Sequence, residues 1–368
     1  MIRLKSIDNF RGITIIAMIW LHLSEWWLSG EFYWFADFTH LIVNNIFWVS
    51  FQFISGISSY LFYKSRTSKI KAIKLNKTKS IKTEFLLRAL MLLCISLLYN
   101  SVLAIINLNP LLIWSLFMIL SIAISLIMVC PLLETTKWTR LWLGIFFMVF
   151  NFVLLLFLQG FEGEFNIFGI IYHFLFFPVD LHPIFSSFAA FLIGTVIGDI
   201  LFGIYTNEDK ENRRGLLKRR IIIPSVIIGG ILIMFDYSAR FVNFLNIPSF
   251  YHIISSIGIS LIIFSSFVLI EEYEFLKTKK SYKFIFYYSY YSLTIYITHN
   301  LLYFLFYQLL NLPILLILLP LTIILLGLLL KWLYNHTNSN FAIKVVIGKL
   351  AHNIARNFEE KNSSKLVE

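Results

Sequence analysis

Residues 6–27 read SIDNFRGITIIAMIWLHLSEWW. Most of this stretch is apolar enough to cross a membrane as a helix, yet Asp8 and Arg11 stand at its start and His22 well inside. Eleven residues at 100° each make three turns plus about 20°, so Arg11 and His22 share one helix face, about 16 Å apart along the axis. One face thus offers a permanent, fork-shaped cation suited to phosphate or carboxylate and, further along, a base that titrates near neutral pH. Ionisable groups at membrane depth are costly and mark cavities or pathways. Two structural readings compete. His22 could be a hydrogen-bonding link between helices, and Arg11 could be an interfacial anchor or the i,i+3 partner of Asp8.

The rest of the chain makes the membrane reading firm. Of 368 residues, 58% are hydrophobic and 14% charged, against about a quarter charged in a soluble domain; mean hydropathy is +0.78. Ten apolar runs are long enough to span, near 10–29, 38–63, 85–106, 111–131, 141–158, 184–205, 221–236, 250–270, 285–307 and 313–333. The expected fold is an all-α, polytopic membrane helix bundle with about 10 transmembrane helices. Segment 168–180 is apolar but short, with Pro178 and Pro183 nearby, and reads as re-entrant. Cys94 and Cys130 fall inside apolar runs, which excludes a disulfide framework. The first run is long, studded with polar residues and lacks a small-residue cleavage site, unlike a signal peptide.

The net charge of +11 does not point to nucleic acid, because the basic residues sit in short segments between apolar runs. Segment 64–84 holds eight Lys or Arg and segment 206–220 holds six. Segments 133–140 and 271–284 are also basic, and the alternate loops contain Arg240 alone. This asymmetry predicts both termini in the cytoplasm, N-in/C-in. Residues 1–335 form the membrane domain. The tail, 336–368, carries Ile343, Ile347, Leu350, Ile354 and Phe358 at helical spacing with Lys344, Lys349 and Arg356 between them. That pattern predicts an amphipathic helix on the cytoplasmic membrane surface.

With that orientation, six of the eight histidines (His22, His40, His173, His182, His252, His299) fall at the extracytoplasmic side. Glu25, Glu31, Asp37, Glu162, Glu164, Asp180 and Asp236 join them; loop carboxylates ordinarily just face water. His22 and His299 lie within the hydrocarbon depth and are stronger site candidates. Trp26, Trp27, Tyr33 and Trp34 fit an interfacial aromatic belt better than a sugar-stacking surface. No histidine pairs at i,i+4 with another ligand, so no metal site is expected.

The opening RLKSIDNFRGITIIAMIWLH resembles the start of the heparan-α-glucosaminide N-acetyltransferase family, through Arg3, Ser6, Asp8, Arg11 and Gly12. FQFISGISSYLFYKSR, with Gly56 and Ser58, is similar to that family's second span, and HPIFSSFAAFLIGTVIGD to a later segment. YSLTIYITH resembles a penultimate span shared with acyltransferase family 3, and the Arg11-x10-His22 spacing matches the characteristic pair of that family. The resemblance implies an integral membrane acyltransferase. It would take an acyl group, often acetyl, from coenzyme A on the cytoplasmic side and deliver it to a glycan or glycolipid on the other. Arg11 with Arg88, and with Asp8 and Gly12 of the same motif, would hold the donor, while His22 would deprotonate the acceptor or carry the acyl group. The heparan enzymes place their catalytic histidine in the first luminal loop. Here 30–37 has no histidine and His40 is the nearest, with Asn45 where that family has an aspartate. His22 and His40 are therefore rival bases, with His299 and Asp180 as secondary candidates.

The runner-up reading is a transporter or flippase of a small polar solute or lipid-linked sugar. Gly229, Gly230 and Pro320 hint at interrupted helices, but no matching halves are visible and Asp199 is the only acid near mid-span. A scaffold without activity is a third reading. Acyl-CoA, a glycan acceptor and membrane lipids are the implied partners, and assembly as a homodimer is left open.

Overall fold

The fold was analysed in a computed structural model that describes residues 4–72, 78–178, 182–207, 209–241, 248–274, 281–337 and 340–364. Among the described residues the fold is helical with no strand, as expected. Six helices are long and apolar enough to cross a membrane, which makes this a multi-pass membrane protein. They are built on α4 (Thr78–Ile106), α6 (Lys137–Leu158, the span running on to Phe161), α8 (Ile184–Asn207), α10 (Ile223–Phe241, the span starting back at Asn212), α11 (Pro248–Glu272) and α14 (Leu312–His336). In α8 and α11 the apolar windows are 72% and 61% buried, against 22–28% in the other four. These two helices are therefore the centre of the bundle and the other four its lipid-facing rim.

Four of the ten apolar runs take another form, and all four are interrupted or polar. Run 10–29 is one helix, α1 (Lys5–Trp27), whose polar residues lower its hydropathy. Run 38–63 breaks at Trp48–Val49 into α2 (Tyr33–Phe47) and α3 (Ser50–Ala72). Helix α11 supports that break: Val49 N–H donates to Ser256 Oγ at 3.3 Å, and Ser50 Oγ meets Ser260 Oγ at 2.9 Å. Run 111–131 holds the short α5 (Met118–Val129) between 3₁₀ turns. Run 285–307 divides at Tyr291 into α12 (Ser281–Tyr290) and α13 (Ser292–Thr298), then tightens into a 3₁₀ segment, His299–Phe304. Non-helical backbone at membrane depth is tolerated where protein or a cavity surrounds it. The segment expected to be re-entrant contains α7 (Ile167–Phe176), too short to span.

Close crossings hold the bundle, because lipid gives helices little hydrophobic reason to associate. Gly56 on α3 lies against the Phe191 carbonyl of α8, and Gly194 against the Phe53 carbonyl, so a β-carbon at either would overlap backbone. Gly12 plays the same part where α1 meets Ile285 of α12. Arg140 on α6 is wholly buried, pairs with Asp199 on α8, donates to Thr195 O at 3.2 Å and lies 4.2 Å over the Tyr60 ring. Asp199, the acid available to a transport pathway, is thus committed to a packing contact.

After the last long helix, α15 (Ile343–Ser364) turns back and docks on α4 and α13. Its expected amphipathic pattern is present, but the buried stripe is Ile347, Ala351 and Ala355, while Leu350 and Phe358 stay exposed.

Candidate active site

Helix α1 is fixed at both ends by the far part of the chain. At its start, the backbone N–H groups of Lys5 and Ser6 donate to the Glu271 carboxylate of α11 at 2.9 and 2.6 Å, satisfying first-turn donors that a helix leaves open. At its other end, Gln308 N–H donates to Trp26 O, Leu310 N–H to Trp27 O and Ser29 N–H to Leu310 O, each at 2.9 Å. Trp27, fully buried, donates its indole N–H to Leu302 O at 2.8 Å. Trp27 is therefore a core residue and not part of an interfacial belt. Trp34 alone of the four aromatics is strongly exposed.

Along this clamped helix the predicted face is real. Arg11 Nη2 donates to Ser58 Oγ of α3 at 2.5 Å, and Nη1 to Ser289 Oγ of α12 at 3.3 Å. Asp8 stands 3.6 Å from Arg11 and accepts from Ser289 Oγ at 3.3 Å. The i,i+3 pair thus exists, but it is one edge of a polar cluster that gathers α1, α3 and α12. Lys344 Nζ of α15 reaches Ser289 O at 3.0 Å. One turn further along α15, Gly348 O accepts from Arg88 at 3.4 Å. The first turns of α15 thus lie between Arg11 and Arg88. Arg88 is mainly held by Glu84 and by the Phe62 ring, 4.2 Å away.

At the other end of the face, His22 meets the 3₁₀ segment. Its ring centroid is 5.1 Å from that of His299, and both rings stack on Trp26, at 5.0 and 5.7 Å. His299 is 6% exposed, and its Nδ1 lies 2.6 Å from Tyr296 O. A carbonyl can only accept, so Nδ1 carries the hydrogen and Nε2 is left with the lone pair. His22 Nδ1 is buried, has no hydrogen-bond partner, and lies 3.7 Å from Glu25 Oε2. The same oxygen stands 3.7 Å from His40 Nε2. The two rival bases are therefore neighbours, joined by a carboxylate that sequence reasoning left as one of several water-facing acids. Glu25 lies three residues beyond His22, the spacing at which helix neighbours face each other, and that was the available signal.

Glu25 and His40 open into a cavity of about 530 Å³, also lined by Tyr33, Asp37, Trp48 and His252. Trp48 packs edge-on against His182, 6.2 Å away, and lies 5.9 Å from His252. Five histidines of distant sequence thus share one end of the bundle. His182 sits between α7 and α8, and burial pushes its pKa down to about 4. His173 stacks on Phe177 at 4.5 Å. Asp180 lies outside the described residues, as does Arg3, and the side chain of Asn45 is not described. Among the described residues no group of three histidine, cysteine or acidic side chains could hold a metal ion.

Chemically, the arrangement offers an anion contact at one end of α1, lone-pair imidazoles at the other, and a cavity opening beside them. Comparison with known proteins agrees with that chemistry. Residues 3–235, more than half of the chain, match the family model described as heparan-alpha-glucosaminide N-acetyltransferase, catalytic. No curated protein matches the chain. The chain belongs to this acetyltransferase family. The match covers Arg11, His22, Glu25, His40 and Ser58 and stops before Ser289, His299 and Lys344.

Proposed function

We propose that the chain moves an acyl group, acetyl in the first instance, from cytoplasmic acyl-coenzyme A to a glycan or glycolipid acceptor outside the plasma membrane. The observation that carries this reading is the completed face of α1. Arg11 is joined there by Ser58 and Ser289, and His22 is joined by His299, with about 16 Å of helix between the two polar groups. In the proposal the donor phosphates meet Arg11, with Asp8 orienting its guanidinium and Arg88 flanking the entry beside α15. Gly12 lets α1 and α12 close on the channel that the pantetheine arm follows. The thioester then stands near His22. The acceptor's hydroxyl or amine loses its proton to a histidine Nε2 and attacks the thioester carbonyl, and the carbon–sulfur bond breaks. His22 is the proposed base, His299 packs beside it, His40 belongs to the acceptor side, and Asp180 stays a secondary candidate from the sequence alone. Aromatic Tyr33 and Trp48, with Asp37 and His252 in the same cavity, suit the ring faces and hydroxyls of a sugar.

The proposed topology has ten crossings with both termini on the donor side. The basic segments 64–84 and 206–220 support it. In that count the broken pairs α2–α3 and α12–α13 each serve as one crossing.

The test is thiol release from acetyl-coenzyme A by purified protein, with glucosamine and a set of amine-free sugars as acceptor probes. Wild type should release thiol in an acceptor-dependent way, and His22→Ala should abolish it. Solute flux into vesicles without thiol release would instead establish the transport reading.

A further inference from the structure

Glu25 is the acid that the acyl-transfer reading leaves without a task. It stands where a loop carboxylate would, yet one of its oxygens, Oε2, is within 3.7 Å of both His22 Nδ1 and His40 Nε2. Neither separation is a hydrogen bond, and a shift of under 1 Å would make either one. His22 Nδ1 is buried and has no other partner, so its hydrogen has one acceptor to turn to. On the far side, His40 lines the open cavity together with Glu25. The rings sit on different helices, α1 and α2, and the carboxylate is what connects them.

Resting on the acyl-transfer reading, we infer that Glu25 is a positioning residue that holds His22 in the Nδ1–H tautomer and links it to His40 as the exit for the acceptor's proton. A lone pair is wanted on His22 Nε2, the nitrogen turned away from Glu25. A carboxylate facing Nδ1 keeps the hydrogen there, as the orienting acid of a catalytic triad does. When the acceptor's N–H or O–H bond breaks, its proton adds to Nε2, and the imidazolium is stabilised by the Glu25 charge. The Nδ1 proton then passes to Glu25 Oε2 and on to His40 Nε2. His40 releases a proton from Nδ1 to cavity water, which leaves both imidazoles neutral with the hydrogen on Nε2. Once product leaves, water takes the His22 Nε2 proton while another enters through His40 and Glu25 to His22 Nδ1, which restores the Nδ1–H form of both rings. The new carbon–oxygen or carbon–nitrogen bond replaces the carbon–sulfur bond. The departing thiolate takes a proton from water at the donor end, and nothing is oxidised or reduced. His299 does not compete for Glu25, because its Nδ1 is bound to Tyr296 O. Asp37 and His252 line the same cavity and would disperse the released charge.

Two measurements test the inference separately from the reading beneath it. The first needs no turnover. In histidine-labelled protein, the ring ¹⁵N signals of His22, assigned by loss in His22→Gln, should report the Nδ1–H tautomer. In Glu25→Gln they should report a mixture, and in Glu25→Asp mostly the original form. An unchanged tautomer in Glu25→Gln would overturn the inference even if the protein proves to be an acetyltransferase. The second is thiol release from acetyl-coenzyme A with glucosamine. Glu25→Gln should lower kcat by about 100-fold with the donor KM unchanged, and Glu25→Asp should recover part of that loss. His40→Gln should lower kcat by about 10-fold in wild type and have no further effect in Glu25→Gln. Independent, additive losses would overturn the exit through His40. Absence of thiol release by wild type would sink acyl transfer, and the proton route with it, while the tautomer result would still decide whether Glu25 positions His22.

Discussion

Each end of the bundle has an acid placed among cations or bases, and the two are built differently. At the arginine end Glu84 is 4% exposed and is met by Arg66, Arg88 and His352, with His352 Nδ1 at 3.0 Å. The Phe62 ring lies under both guanidinium groups, at 4.9 and 4.2 Å. At the histidine end Glu25 is 46% exposed, and both of its partners stand off at 3.7 Å beside an open cavity. The first acid is fully satisfied and locks α15 onto α4. The second is half-exposed, and its two histidine partners stand beyond ordinary hydrogen-bond distance. A saturated charge cluster stabilises a structure, and an unsaturated one is available for chemistry.

The largest effect that could break this contrast is His22→Ala. It should lower acyl transfer by about 1,000-fold while leaving the melting temperature within a degree or two of wild type. A stability loss matching the activity loss would make the histidine end a second structural clamp. Glu84→Gln should do the opposite. Leaving two part-exposed cations short of their shared partner costs about 1–2 kcal/mol. It should appear as a lower melting temperature and faster proteolysis of α15, with turnover per folded molecule retained. Arg11→Gln belongs between the two. Loss of a charged contact worth about 2 kcal/mol should raise the donor KM about 30-fold in a steady-state titration and leave kcat nearly intact.

The smallest expected effect sharpens the histidine end itself. His182 has a buried, unpartnered Nδ1, and burial brings its pKa down to about 4 from 6.5. Its folded pKa lies below its unfolded one, so between pH 6.5 and 4 the unfolded chain binds the extra proton. Stability therefore falls as pH drops through that window. His182→Phe should flatten this acid-side fall in a melting series, without moving activity at pH 7.5. A steeper fall in the variant would show that the ring is solvated.

The Arg11–His22 face was legible because helix periodicity needs only local sequence. The resemblance added segments around Gly56, Gly194 and His299 without saying how they meet. The structure brings Gly56 against α8, Ser58 against Arg11 and His299 against His22. The break at Trp48–Val49 was not legible. No proline or glycine marks it, and the hydropathy runs straight through. What supports it is a pair of serines some two hundred residues away. Trp27 looked interfacial for a related reason. Its burial depends on the chain returning at Leu302 and Leu310, and composition carries no trace of a return. Glu25 was hidden by its ordinariness, since most acids near a helix end face water.

The clamps on α1 also have a consequence for biogenesis. Helix α1 is made long before several of the groups that satisfy its polar atoms, Glu271, Ser289, His299, Leu302 and Leu310, while Ser58 follows it early. At about 5–20 residues per second, tens of seconds separate the two events. During that interval a weakly apolar helix carrying Arg11, His22 and Glu25 has to wait without its final partners. The six long apolar helices can enter lipid on their own account, so the polar face of α1 is expected to be the last part of the molecule to seat. A nascent chain arrested at Phe241 would contain every family-matched residue and still leave a cysteine introduced at Ser24 of α1 open to an aqueous thiol reagent.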